Sequence, residues 1–130
     1  MRIENEKILR GMMTILILDR ISRLPSHGYS LQVYISEKLQ RKVPPGTVYV
    51  LLSSLLKRSF ITVSEEKYIN GRPVKIYSIT GSGITFLQDH VEPLVIIQKI
   101  VGDLILSISS LPPDAARSGH VSVEGSAESQ

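Results

Sequence analysis

Side chains with hydrogen-bonding groups cluster on one side of the segment 45–57, PGTVYVLLSSLLK. Apolar residues recur there at the i, i+3, i+4 and i+7 spacing of a helix face, at Val48, Leu51, Leu52 and Leu55. The opposite side of that helix carries Thr47, Tyr49, Val50, Ser53 and Ser54. A helix face that meets only water usually carries pairs of Glu and Lys, and this one has none before Lys57. We therefore expect this polar face to contact a partner.

Positive charge on both sides of the segment indicates which partner. The stretch from Lys38 to Lys75 holds eight basic and two acidic residues, whereas residues 82–130 hold two basic and six acidic ones. The total charge of +3 is by itself too modest to indicate nucleic acid. Lysine and arginine neutralise phosphates, however, and hydroxyl groups reach base edges or the sugar-phosphate backbone. The combination favours binding to double-stranded DNA.

The candidate DNA-binding residues lie before, within and after this helix. Gly46 permits a close approach of the backbone, and the helix N-terminus offers unpaired N–H groups to a phosphate. Arginine on a later β-hairpin suits a narrow minor groove. The complete set is Arg41, Lys42, Gly46, Thr47, Tyr49, Val50, Ser53, Ser54, Lys57, Lys67, Arg72 and Lys75.

No arrangement of residues indicates catalysis. The three histidines, His27, His90 and His120, fall in different segments without a metal-binding spacing, and the chain has no cysteine. The segment 80–83, TGSG, lacks the lysine and the spacing of a phosphate-binding loop. We therefore expect no enzyme, no metal and no cofactor, and we interpret His27 as a residue that packs or caps at the start of a helix.

Hydrophobic periodicity and turn residues give the order of the elements. Asn70-Gly71 predicts a hairpin turn, and Ser26 and Thr80 are candidate helix caps. The predicted helices span 4–24, 28–42, 45 onward and 82–111, and the predicted strands span 60–63 and 75–79. This order predicts a mainly α fold with a small β-hairpin: a winged helix-turn-helix followed by a long C-terminal helix.

The same pattern divides the chain into three parts. Residues 1–80 form the expected DNA-binding domain, whose first helix also contributes to dimer contacts. Residues 81–111 form the expected dimerisation helix. Residues 112–130 are rich in small and polar residues, and we expect a disordered tail.

The C-terminal helix carries an apolar seam with alternating spacings of four and three. The seam consists of Leu87, Val91, Leu94, Gln98, Val101, Ile105 and Ile108. A second apolar set widens it, namely Ile97, Ile100, Leu104 and Leu111. A symmetric homodimer would cover both sets and present two recognition helices to a two-fold site. The alternative is packing within one chain against the first helix.

The composition also bears on location. The absence of cysteine fits an intracellular protein. The apolar run MMTILIL is flanked by charges and has no cleavage site, and Lys99 and Asp103 interrupt the later run. We expect a cytoplasmic protein without a membrane partner.

Five short motifs occur in order along residues 9–87. They are Leu9-Arg10-Gly11, His27-Gly28-Tyr29, Pro45-Gly46-Thr47-Val48-Tyr49, Gly71-Arg72-Pro73-Val74-Lys75-Ile76-Tyr77, and Ile79-Thr80 followed by Gly83. As a set, which is more specific than any one of them, these motifs resemble those of the PadR-like transcriptional regulators.

The resemblance implies a homodimeric winged-helix repressor whose last helix serves dimerisation. It places Gly46, Thr47 and Tyr49 at the DNA surface and Arg72 and Lys75 on the wing. Some members also hold a small-molecule effector between subunits. Val50 stands where the family usually has a proline, and the chain lacks the tryptophan that some drug-responsive members use to stack planar ligands.

Two further functions fit a winged-helix fold. The polar face of the third helix could dock on a protein, which would make the chain an interaction module without DNA binding. A cavity in a dimer could instead make it a sensor of an unknown small molecule. Affinity for generic duplex DNA at low salt separates DNA binding from the first alternative.

Overall fold

The computed structural model of the protein describes residues 7–114. The chain divides into two compact units, one ending at Val91 and the other beginning at Glu92. The elements in chain order are α1 (Lys7–Arg23), α2 (Gly28–Leu39), α3 (Pro45–Lys57), β1 (Ile61–Ile69), β2 (Arg72–Ile79), α4 (Gly81–Gln88) and α5 (Val91–Ser109). This architecture confirms the predicted fold class, a mainly α chain with one hairpin and a long C-terminal helix.

One hydrophobic core holds the first unit together. It combines the inner faces of α1, α2 and α3 with the base of the hairpin. The four apolar residues predicted for the inner face of α3 are all buried. The buried cluster consists of Met13, Ile17, Leu18, Ile21, Leu31, Ile35, Val43, Val48, Leu51, Leu52, Leu55, Ile61 and Tyr77. Each fully buried aliphatic side chain stabilises the fold by about 1.5–3 kcal/mol relative to exposure.

The start of α2 confirms the interpretation of His27 as a residue that caps a helix start, whereas the candidate cap Ser26 and the predicted end of α2 are wrong. His27, rather than Ser26, caps the helix, because its Nδ1 accepts a hydrogen bond from the Ser30 N–H at 3.3 Å. The Ser26 hydroxyl instead donates to the Leu24 carbonyl oxygen at 2.7 Å. The helix ends at Leu39, three residues before the predicted end, because Gln40 adopts a left-handed conformation with φ 55°.

The hairpin is longer than predicted. Its turn is the expected Asn70-Gly71, with φ of 53° and 77°, which are the positive values that a tight hairpin turn requires. Antiparallel pairing begins at Ile61 opposite Ile79 and continues to Ile69 opposite Arg72. The predicted strands stopped where apolar alternation stopped, but backbone pairing continues through exposed polar residues because it needs no apolar side chains.

A pair of backbone hydrogen bonds ties the hairpin to the loop between α1 and α2. The Ser26 N–H donates to the Tyr77 carbonyl oxygen at 3.1 Å, and the Tyr77 N–H donates to the Ser26 carbonyl oxygen at 2.8 Å. Both residues are buried, so water competes little for these bonds. The base of the wing is thereby fixed beside the start of α2.

The single helix predicted over residues 82–111 is wrong, because α4 ends at Gln88 and α5 begins at Val91. Pro93 has no N–H to donate to the carbonyl oxygen of Asp89, and its ring would clash with that carbonyl in a continuous helix. Restarting the helix at Val91 places Pro93 in a first turn, where proline is tolerated. The tail expected over 112–130 lies outside the described residues from position 115 onward.

Thr80 caps α4 as predicted, and Gly83 brings this helix close to neighbouring backbone. The Thr80 Oγ1 accepts a hydrogen bond from the Gly83 N–H at 3.1 Å. A Cβ atom on Gly83 would overlap the Phe60 carbonyl oxygen and lie 2.7 Å from Cγ1 of Ile79. Glycine is therefore needed here for close packing of α4 on the segment before β1.

We predict that Gly83→Ala destabilises the protein by about 1–3 kcal/mol, because the obstructing atom belongs to backbone that cannot swing aside. Denaturant unfolding measures the free energy change. Gly81→Ala is the matched control, since no atom lies within 4 Å of an added Cβ on Gly81. Equal stability of the two variants would contradict the close approach of α4.

Candidate nucleic-acid interface

The outer face of α3 is open to solvent. Tyr49 is 51% exposed and Val50 is 58% exposed, while Ser53 and Ser54 are also exposed and Thr47 is partly buried. Proline occupies the first helical position, and the preceding Pro44 makes no side-chain capping bond. The structure thus places every residue predicted for this face on the solvent side of α3.

Two side-chain hydrogen bonds fix the turn between α2 and α3. The Ser36 Oγ accepts from the Val43 N–H at 3.0 Å, and the Gln32 Nε2 donates to the Val43 carbonyl oxygen at 2.8 Å. The Val43 side chain is fully buried. Holding both polar groups of one turn residue from α2 sets the position at which α3 begins.

A concave surface lies between the helices and the wing. It is an open cavity of about 730 Å³, bounded by the start of α2, by Tyr49 of α3 and by β2. Its lining residues are His27, Gly28, Tyr29, Tyr49, Ile69, Asn70, Arg72, Pro73, Val74, Lys75 and Tyr77. The cavity therefore joins the predicted recognition helix and the two predicted wing cations in one surface.

The other predicted cations occupy separate places. Arg41 and Lys42 line a shallower depression at the turn between α2 and α3, while Lys57 is exposed in the last turn of α3. Lys67 lies 3.6 Å from a carboxylate oxygen of Glu65, and both side chains are about half exposed. An exposed pair of this kind is weak, so the Lys67 ammonium group can still exchange this partner for a phosphate.

Tyr29 was not among the candidate residues, although it lies beside several of them. Its side chain is 68% exposed and borders both the cavity beside the wing and the depression at the turn. The available signal was an aromatic residue directly after the His27-Gly28 helix start. A tyrosine side chain combines a large apolar ring with a polar hydroxyl group.

Burial raises the pKa of the Tyr77 phenol above its ordinary value of 10.0, and the nearby Tyr49 raises it further. Tyr77 is a core residue whose ring also lines the cavity. The neutral phenol is therefore favoured in the folded chain. Tyr77 contributes a fixed part of the cavity floor at neutral pH.

Exposed apolar residues continue along α5. Val91, Val101, Ile105 and Ile108 of the predicted seam are 45–60% exposed, and Leu94 is partly buried. Gln98 provides the polar position. The second set, Ile97, Ile100, Leu104 and Leu111, is 47–62% exposed.

Leu87 does not lie on the same helix as the rest of the seam. It belongs to α4, where it packs against the core of the first unit. The break at residues 89 and 90 separates it from the six seam positions on α5.

Metal and membrane sites find no support in the part of the chain that the structure describes. Residues 7–114 contain no group of three or more His, Asp or Glu side chains that could hold a metal ion. Among the same residues, no helix combines the length and the apolar character needed to cross a membrane.

Three helices followed by a two-stranded wing, with the polar face of the third helix beside that wing, define a winged helix-turn-helix protein. The chain belongs to the transcriptional regulator PadR-like family, whose sequence profile matches residues 17–89. This confirms the resemblance found in the five motifs. The family is one of transcriptional regulators and not of enzymes.

Individual relatives agree with this assignment. A candidate transcriptional regulator from Thermoplasma acidophilum is 35% identical with a TM-score of 0.69, covering 79% of this chain and 97% of the other. A PadR-like transcriptional regulator from Bacillus cereus is 26% identical with a TM-score of 0.66, covering 77% and 97%. Transcriptional regulator YqjI of Escherichia coli is 33% identical over 91 residues, which are 68% of this chain. The match spans only 42% of YqjI.

We predict that Tyr77→Phe abolishes a phenol titration with its midpoint above pH 10, measured by tyrosine absorbance in the folded protein. Because folding raises the pKa of Tyr77, the contribution of its neutral phenol to the free energy of unfolding is fully present below the ordinary pKa of tyrosine. It is lost as the pH rises through the folded value.

The matched control is Tyr68→Phe, whose side chain is 78% exposed on the wing. That variant should keep the late titration. If a phenol titration with its midpoint above pH 10 remained in Tyr77→Phe, the Tyr77 phenol would not be the desolvated group.

Proposed function

We propose that this chain is a sequence-specific, double-stranded DNA-binding repressor that acts as a homodimer. The observation that carries the proposal is the cavity shared by the exposed face of α3 and by the wing residues Arg72 and Lys75. The membership in a family of transcriptional regulators supports it.

Recognition of bases is assigned to the exposed outer face of α3. The major groove of B-DNA is wide enough to admit an α-helix. Thr47, Tyr49 and Ser53 offer hydroxyl groups that donate and accept, and Val50 offers a methyl surface for thymine. Gly46 lets the start of the helix approach the sugar-phosphate backbone without a side chain in between.

Phosphate contacts are assigned to the cations around α3. Arg41 and Lys42 precede the helix, Lys57 ends it, and Arg72 and Lys75 line the cavity on the wing side. Such contacts orient the protein on the duplex and supply most of the sequence-independent affinity. The Asn70-Gly71 tip and Arg72 then reach toward the adjacent minor groove.

Dimerisation is assigned to α5. An exposed apolar strip along a helix of 19 residues is costly in water, and a second copy of the same helix removes it symmetrically. A two-fold dimer presents two α3 helices to two half-sites, which multiplies the affinity for a palindromic sequence.

Repression is the output that we assign to this binding. A dimer that covers a promoter excludes the polymerase without any further contact surface, whereas activation needs one. We also propose a cytoplasmic location, because a regulator of transcription acts where the chromosome lies and the relatives named above include proteins of Escherichia coli and Bacillus cereus.

We predict that the double variant Arg72→Ala, Lys75→Ala binds generic duplex DNA more weakly. The slope of log affinity against log salt concentration should fall by about two units, because each lost phosphate contact removes about one. Fluorescence anisotropy at several salt concentrations measures the slope.

The matched control for this variant removes the same charge from α1 through Lys7→Ala and Arg23→Ala. Its slope should stay close to that of the parent. An unchanged slope in the wing variant would remove the wing from the DNA contacts. Failure of the parent chain to bind duplex DNA at low salt would overturn the proposed function in favour of a protein-interaction module.

We predict that Ile105→Glu converts the dimer into a monomer, because association would bury a carboxylate against the apolar seam. Sedimentation equilibrium measures the mass in solution. Ser107→Glu, on the same helix but outside both apolar sets, is the matched control and should remain dimeric. A parent chain that sediments as a monomer would contradict the assignment of α5.

A further inference from the structure

The ring of Tyr49 lies directly over the backbone of Gly28. A Cβ atom on Gly28 would come within 2.6 Å of the Cε1, Cζ and Oη atoms of Tyr49. Gly28 is the first residue of α2 and is buried, although the neighbouring Tyr29 and Ser30 are exposed. The ring covers Gly28 on one side and leaves about half of the Tyr49 side chain open to solvent.

The backbone of α2 does not itself require glycine at this position. Gly28 has no positive φ value, so an L-residue could adopt its conformation. Alanine is also the better helix former. What excludes a side chain at position 28 is the end of the Tyr49 ring.

The atoms that an added methyl group would meet belong to the far end of a flexible side chain. Tyr49 turns about two side-chain bonds, and its outer side faces solvent. The ring can therefore swing away without moving the backbone of α2 or α3. A substitution at Gly28 is expected to displace Tyr49 and to leave the fold intact.

The place that the ring occupies lies between three elements. Tyr49 comes from α3, Gly28 begins α2, and Tyr77 of β2 lines the same cavity. The Tyr77 backbone is in turn bonded to Ser26, two residues before Gly28. When the Tyr49 ring packs against Gly28, its hydroxyl group has a fixed position relative to both α2 and the wing.

We propose that Gly28 is a positioning residue for DNA recognition. Because Gly28 has no side chain, the Tyr49 ring can pack against the backbone of α2. This packing fixes the position of the Tyr49 hydroxyl group relative to the duplex. The inference rests on the proposed function, since it takes Tyr49 to contact DNA. Gly28 acts through Tyr49 and contributes no contact of its own.

A double-mutant cycle in the full chain tests the inference. The parent, Gly28→Ala, Tyr49→Ala and the double variant are titrated with one duplex DNA at one salt concentration. Tyr49→Ala should weaken binding on the order of tenfold, as expected for a lost hydrogen bond to a charged group. Gly28→Ala should also weaken DNA binding, but by no more than Tyr49→Ala does. The double variant should bind DNA with the same affinity as Tyr49→Ala.

Gly81→Ala is the matched control for the glycine substitution. Gly81 is likewise the first residue of a helix, and no atom lies within 4 Å of an added Cβ. Its affinity for DNA should match that of the parent. The melting temperatures of Gly28→Ala and Gly81→Ala should both stay near the parent value or rise.

The titration of the Tyr77 phenol reports on the position of the Tyr49 ring without DNA. Displacing Tyr49 from its place beside Tyr77 should lower the pH at which the Tyr77 phenol titrates, because Tyr49 helps to raise that pKa. The Gly28→Ala variant should show this shift, and Gly81→Ala should not. A role of Gly28 confined to the helix start would leave the Tyr77 titration unchanged.

The outcomes separate the inference from the function on which it rests. Parent-like binding by Gly28→Ala, with Tyr49→Ala weakened, would overturn the inference and leave DNA recognition by α3 standing. Parent-like binding by Tyr49→Ala would overturn both the Tyr49 contact and the inference. A further loss in the double variant would show that Gly28 acts on its own, which also contradicts the proposal.

The same variants also test the inference if Gly28→Ala lowers the melting temperature. If Gly28→Ala is less stable than the parent, the double variant should regain that stability, because Tyr49→Ala removes the clashing ring. No recovery would mean that the methyl group meets something other than Tyr49, and the inference would be wrong.

Discussion

The burial of one face of α3 is the constraint on which the rest of the structure depends. Four apolar side chains, Val48, Leu51, Leu52 and Leu55, fix the rotation of this helix about its axis. A turn by one residue, about 100°, would bring hydroxyl groups into the core without partners. The polar face must therefore point outward, and its direction follows from the packing of the opposite face.

Contacts that involve the backbone connect this face to its surroundings. Ser36 and Gln32 hold Val43 where α3 begins, the Ser26 and Tyr77 backbones hold the wing to the start of α2, and the Tyr49 ring rests on Gly28. Each restrains one neighbour of α3. A surface assembled from a helix, a helix start and a strand is thereby held in one arrangement. A preformed surface lowers the ordering cost of binding, which favours the DNA contact that we propose.

The periodicity of the sequence predicted the features that depend on burial of apolar side chains. It failed for features that depend on individual hydrogen bonds or backbone contacts. The inner face of α3 and the turn at Asn70-Gly71 followed from spacing and residue type. The break before α5 was also encoded, since Pro93 cannot occupy a helix interior, but the continuous apolar seam concealed it. Ser26 and His27 were both candidates at the start of α2, and the hydrogen bond from the Ser30 N–H to the His27 ring decides between them. The place of Tyr49 over Gly28 also depends on contacts in three dimensions. The twelve DNA-binding candidates remain a prediction about contact, although those on α3 are exposed except for Thr47, which is partly buried.

The most direct test of a dimeric, sequence-reading regulator is selection from random duplex DNA. The purified chain is mixed with the pool at several salt concentrations, and the retained duplexes are sequenced. The account predicts retention that falls steeply with salt and an enriched sequence with two-fold symmetry. Retention without any enriched sequence, or no retention even at low salt, would contradict it.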